Sequence, residues 1–244
     1  DASSQALSVA YVRDFYPYAS KKIDEPQGFS VDVVRDIADI SGLECSFVGV
    51  DSPDTAADYV AQGLVDVAIG EFDVATAAPE GVTYSNAYID VDIAVVTLED
   101  SGFDSIDDLA GSSIAVLRGS AACEWALRNM PNADIQQYDS VDEAFTALES
   151  QKAHAAACGT PNALRRVKVA YADAHVIGVA DTSCAYAFAC KDEATASILN
   201  QGLMDMRESG TYDSLFESWF GAATQRGEVE ARTNEQGAPT FAKR

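Results

Sequence analysis

Apolar residues recur along the chain in short blocks, separated by longer stretches whose apolar positions fall three and four residues apart. The first block, 7–12 (LSVAYV), reads as a buried strand and stops at Arg13-Asp14-Phe15-Tyr16-Pro17. Ser30 is then placed to cap a helix with Val31, Val34, Ile37 and Ala38 on one face, and Gly42 stands where a left-handed residue closes it. A second strand is predicted at 43–48, and Ser52-Pro53 supplies an N-cap and a first-turn proline for a helix ending at Gly63. The run 65–69 (VDVAI) completes a β-α-β-α-β order.

A longer extended stretch, 89–98, leads to a short helix at 105–111, and the pattern starts again. Strands are predicted at 114–117, 135–138, 153–158 and 176–179. Between them come a helix capped by Ser120, a capping box at Ser140-Val141-Asp142-Glu143 and a helix opened by Thr160-Pro161. The last elements are a strand at 186–190, a helix at 192–209 closed by Gly210, and a helix at 211–220. The latter presents Tyr212, Leu215, Phe216 and Trp219 at helical spacing, which reads as core. A repeated β-α-β-α-β order joined by extended connections predicts an α/β protein of two lobes linked by two hinge strands. Lobe 1 is expected at 1–92 plus 184–221, lobe 2 at 93–183, and a polar tail or linker at 222–244.

Charge narrows the partners. Thirty-nine acids against sixteen bases give a net charge of −23, which repels phosphate backbones, so nucleic acid is not an expected partner. No run approaches the ~18–20 apolar residues that cross a bilayer. The start at Asp1 lacks a signal-peptide pattern, as expected of a mature chain or a trimmed segment of a larger one. Five cysteines (Cys45, Cys123, Cys158, Cys184, Cys190) form no CxxC pair and do not cluster with His154 or His175, so no metal site is expected. Cys184 and Cys190 are separated by about 20 Å of extended chain and do not bridge each other without a turn. The odd count leaves at least one thiol free or paired between chains, and most are read as core.

Five segments taken together resemble the bacterial extracellular solute-binding proteins of the polar amino-acid class: LSVAYVRDFYPY, GFSVDVVRDIADISGLECSFV, the stretch 63–88 ending YSNAY, IDDLAGSSIAVLRGS and SGTYDSLFESWFG. The resemblance implies the type II periplasmic-binding-protein (Venus-flytrap) fold, with a small solute bound between lobes by hinge closure. Candidate ligand residues follow strand ends, where open α/β sheets place ligands. Asp14 and Phe15 follow the first strand, Phe15 offering a ring to stack on a ligand; Glu71, Phe72 and Asp73 follow the third. Arg118 and Ser120 join a strand to a helix start suited to an anion, Thr160 occupies the matching later turn, and Tyr88 sits near the first crossing strand. Six of them have a structural alternative: Phe15 as a cover for the lobe edge, Glu71 and Asp73 as solvated loop acids, Ser120 and Thr160 as helix caps, Arg118 as a partner for a surface acid.

The sequence departs from the family where amino-acid binders hold their ligand's charged ends. The position of the arginine that clamps the α-carboxylate is Ala78, and the position of the aspartate that holds the α-ammonium is Gly159. Charge-assisted hydrogen bonds contribute about 1.5–3 kcal/mol each, so losing several weakens an ordinary amino acid roughly a hundredfold. A cationic or neutral polar ligand is expected instead. The expected role is the extracytoplasmic sensing part of a membrane signalling protein, with a permease-linked transport receptor as the alternative; no cofactor and no catalytic residue is expected.

Overall fold

The computed structural model describes residues 6–23, 25–221, 229–233 and 239–243. These form two compact units: the chain up to Asp90 with Cys184–Trp219, and Val91–Ser183. The chain passes from one to the other after Asp90 and back after Ser183.

The first unit begins with β1 (Ala6–Val12) and a small antiparallel sheet of β2 (Asp14–Phe15), β3 (Ala19–Lys22) and β4 (Glu25–Gln27). Helix α1 (Phe29–Ser41) follows; it buries Val31, Val34, Ile37 and Ala38, the face expected from their spacing, and ends at a left-handed Gly42. Its start differs from the expectation. Gly28, not Ser30, is the N-cap, because the first-turn amides of Phe29 and Ser30 donate to the carbonyls of Pro17 and Tyr18. A Cβ at Gly28 would lie 2.2 Å from the Tyr18 carbonyl oxygen, and φ is +140°, so no other residue fits this entry. Ser30 is left free to turn its hydroxyl inward.

Then come β5 (Glu44–Val50), α2 (Pro53–Ala61), capped by the Ser52 hydroxyl, β6 (Val67–Ile69), β7 (Thr83–Tyr84) and β8 (Ile89–Asp90). The expected single stretch 89–98 is two strands, since the chain changes unit within it. In the second unit β9 (Ile93–Leu98) leads through 3-10 turns at Glu99–Ser101 and Ile106–Leu109 to β10 (Ser113–Leu117), α3 (Ala121–Asn129), β11 (Asp134–Tyr138) and α4 (Val141–Glu149). The unit is completed by β12 (Ala155–Gly159), α5 (Thr160–Val169) and β13 (Ala174–Ala180). The box expected at Ser140 is half formed: Ser140 accepts from Glu143 N, while the Glu143 carboxylate accepts from Asp139 N.

Back in the first unit are β14 (Ala185–Tyr186), β15 (Ala189–Cys190), α6 (Glu193–Glu208), capped by Asp192, and α7 (Thr211–Phe220). The strand expected at 186–190 is thus two short ones in different sheets, β14 pairing with β8 and β15 with β6 and β7. Within the expected tail, β16 (Val229–Thr233) and β17 (Pro239–Lys243) form a two-stranded sheet, and the remainder of that segment lies outside the described residues.

The two five-stranded sheets repeat one plan. The first has the order β5-β1-β6-β15-β7, with β1 parallel to β5 and β6; the second has the order β11-β10-β12-β9-β13, with β10 parallel to β11 and β12. In each, the strand that opens the β-α-β-α-β run lies between the other two. The connections therefore leave it in opposite directions, creating a switch point between β1 and β6 and another between β10 and β12. Antiparallel neighbours complete both sheets.

Candidate ligand site

The carboxyl ends of β1 and β6 bring together most of the first unit's selected residues. Phe15 ends β2 just beyond β1 and is buried to 7% exposure. Its ring lies 4.7 Å from Tyr18 and 5.6 Å from Tyr186, and those two rings lie 5.5 Å from each other at 77°. Offset and edge-on contacts at such distances are favourable for aromatic quadrupoles. The result is a three-ring cluster at the strand ends. Tyr18 and Tyr186 are not among the residues to which the sequence points. Tyr18 had a local signal, an aromatic just past Phe15 across Pro17, whereas Tyr186 reaches the cluster only through strand pairing.

That pairing also fixes Glu71, Phe72 and Asp73. Ala187 N donates to Phe72 O and Val74 N to Ala185 O, each at 2.9 Å, and Asp73 forms a bridge with Tyr186. Phe72 is buried and packs on Tyr84 at 6.0 Å, so its ring belongs to the core. The Asp73 carboxylate is occupied by its own turn, accepting from Ala75 N at 2.9 Å. Glu71 differs from both. It is accessible to solvent and makes no hydrogen bond or ion pair among the described residues, yet crowding by neighbouring atoms raises its carboxyl above the usual range. Tyr186 feels its charge: burial first, and Glu71 next, push that phenol well above its ordinary value. Asp14 is exposed on the small hairpin, paired in register with Ser20.

Tyr88 is a correction. It is fully buried, stacked on Phe188 at 4.1 Å, and its hydroxyl shares a 2.6 Å hydrogen bond with Ser30. Pairing of 85–88 with 186–188, through Ser85 N to Phe188 O and Tyr88 N to Tyr186 O, turns the ring into the core. Burial raises its phenol pKa, as expected of a structural tyrosine.

In the second unit the matching edge holds Arg118, Ser120 and Thr160. Arg118 follows β10, is largely exposed, and pairs with Asp139 at 3.3 Å. Gly119 after it has φ +68°. Ser120 serves as the N-cap of α3, accepting from Cys123 N at 3.1 Å and donating to Leu117 O at 2.7 Å, so both roles of its hydroxyl are filled. Thr160 is also a correction: it is fully buried, and its amide and hydroxyl both donate to Asp92 O at 2.7 Å. It is the first residue of α5, with Gly159 as the N-cap. The Asp92 carboxylate accepts from Thr182 N at 2.8 Å, and burial raises its pKa. Ala78 lies exposed in the loop after β6, so neither it nor Gly159 supplies a charge.

At the opposite edge of the second sheet a cavity of about 760 Å³ is walled by Phe103, Leu148, His154 and Tyr171 and contains none of the selected residues. Among the described residues no group of three or more His, Cys, Asp or Glu is arranged to hold a metal ion. Cys45, Cys123, Cys158 and Cys190 are free thiols; the last three are buried, and burial pushes Cys158 and Cys190 up to about 12. No helix among the described residues is long and apolar enough to cross a membrane.

The chain is similar to the ABC transporter glutamine-binding protein GlnH of Bacillus subtilis, at 27% identity over 206 residues, 80% of this chain and 73% of that protein. It is also similar to the virulence sensor protein BvgS of Bordetella pertussis, at 27% identity over 63% of this chain but only 12% of that much longer protein. Among solved structures, an ancestral cationic amino acid solute-binding protein superposes with a TM-score of 0.78 at 25% identity, covering 88% of this chain and 95% of that one. The second substrate-binding domain of Lactococcus lactis GlnP, in its open conformation, shares the fold with a TM-score of 0.81 at 18% identity, covering 92% and 99%. The model of the bacterial extracellular solute-binding proteins, family 3, matches residues 7–222, and the chain, a two-lobed α/β protein of the periplasmic-binding type II class, belongs to that family.

Proposed function

We propose that the chain is the solute-sensing domain of a membrane signalling protein and takes a small polar ligand other than an ordinary α-amino acid. The observation that carries the ligand reading is the chemistry of the two switch-point edges. The first offers Glu71, a carboxylate without an ion pair among the described residues, at the same strand ends as a three-ring cluster, while Ala78 and Gly159 leave out the two charged side chains that amino-acid binders of this family use. The sensing role is supported by the match to a sensor protein in which this kind of domain is a small part of the whole. A transport receptor is the second reading, favoured by the similarity to GlnH, which runs over most of both chains. Binding rather than catalysis is the reading for either role, in keeping with a solute-binding family.

Thermal unfolding against a panel of amino acids, polyamines and small carboxylates tests the ligand reading, since a ligand at 100 times its Kd adds about 2.7 kcal/mol to stability. A shift with a polar non-amino-acid supports it; a shift of that size with L-glutamine overturns the argument from Ala78 and Gly159. Deleting the gene in its source organism separates the roles: a changed transcript profile with uptake intact marks a sensor, and lost solute uptake marks a receptor.

A further inference from the structure

The ligand edge of the first unit has a distinctive balance of charge. Every arginine placed in that unit is engaged elsewhere: Arg13 with Asp51, Arg35 with Asp32 and Pro26 O, and Arg207 with Ala87 O and the face of Tyr212. Lys191 is held by Asp66, and Lys21 and Lys22 are exposed on β3. Glu71, just past the end of the switch-point strand β6, is a negative group that makes no ion pair among the described residues. Its charge reaches Tyr186, which packs with the buried Phe15 and Tyr18 in the three-ring cluster, and the faces of aromatic rings carry negative quadrupole charge. A carboxylate and aromatic faces at one point attract the same kind of partner, a cation, and repel an anion. A neutral amide gains little from either.

We propose that the solute taken at this edge is an amine cation, its ammonium group set between the Glu71 carboxylate and the Phe15–Tyr18–Tyr186 cluster. This deepens the solute-binding reading above and rests on it. A cation restores to Glu71 the charge partner that folding withholds. It also meets the ring faces without needing the carboxylate clamp missing at Ala78. The net charge of −23 acts in the same direction from a distance, raising the local concentration of cations.

The test is titration calorimetry of the whole chain with four probes of similar size: putrescine, choline, L-glutamine and succinate. The expected result is binding of putrescine or choline, weakened at least tenfold by Glu71→Gln and by Phe15→Leu, with circular dichroism showing both variants folded. Glutamine or succinate binding in preference to the cations overturns the amine assignment and leaves the solute-binding reading standing. Cation binding that survives Glu71→Gln unchanged overturns the placement at this edge. No heat from any of the four probes overturns the amine assignment, and no stabilisation across the broader thermal panel removes the solute-binding reading as well.

Discussion

Asp66 stands just before β6 and accepts from the amide and hydroxyl of Ser8, at 2.8 and 2.7 Å, while Lys191 donates to its other oxygen. Burial alone raises its pKa, but the bonds from Lys191 and Ser8 together outweigh burial and hold the carboxyl below its ordinary value. A carboxyl with a lowered folded pKa contributes stability that is complete above the unfolded value, near 4, and is lost as pH falls through the folded value. Asp66→Asn keeps an acceptor for Ser8 and loses the charge, so it is expected to cost about 1 kcal/mol at pH 7 and nothing at the acid end. Urea unfolding at pH 7 and pH 3 measures this, and a cost that does not shrink with acid contradicts it. At this scale the sequence marks residues by their place after strand ends, and Phe15 and Glu71 do lie just beyond the ends of β1 and β6. It did not distinguish Glu71 from Tyr88, because what turns the Tyr88 ring inward is pairing with 186–188, a contact distant in sequence.

Helices were legible because their signals are local. Ser52, Ser120 and Asp192 cap the helices that follow them, and Gly42 closes α1, as spacing and side-chain chemistry dictate. Short strands were not, since a two-residue strand such as β7 or β8 is defined only by its partner in the sheet. Helix–helix packing was equally hidden. Gly202 lies within α6, where glycine ordinarily costs about 1 kcal/mol relative to alanine. A Cβ there would sit 2.5 Å from Ile37 Cγ2 on α1, and both residues are buried. Gly202 thus permits the close approach of α1 and α6. Gly202→Ala is expected to destabilise by about 1–3 kcal/mol despite its better helix propensity. Adding Ile37→Ala removes the clash, so Gly202→Ala should cost less in that background than in the wild type. Denaturant midpoints of the four chains check this, and simple additivity rules out the proposed contact.

For the whole molecule, the charge of −23 acts on stability and on ligand affinity with opposite signs. Like charges brought together by folding repel, so screening them favours the compact state. A cation approaching Glu71 is drawn by the same field, so screening weakens its capture. The screening length falls from about 30 Å at 0.01 M salt to about 8 Å at 0.15 M. Across that range the melting temperature of the free chain is expected to rise, while the Kd for an amine cation is expected to increase several-fold. A neutral ligand would show the first effect without the second. Recording both quantities on the same samples therefore separates the general field of the chain from the local carboxylate. In Glu71→Gln the rise in melting temperature should persist, because one charge in twenty-three is removed, whereas the residual amine affinity should drop at every salt concentration. A melting temperature that falls with added salt would show that attractive ion pairs, such as Arg166 with the exposed Asp142, outweigh the net repulsion.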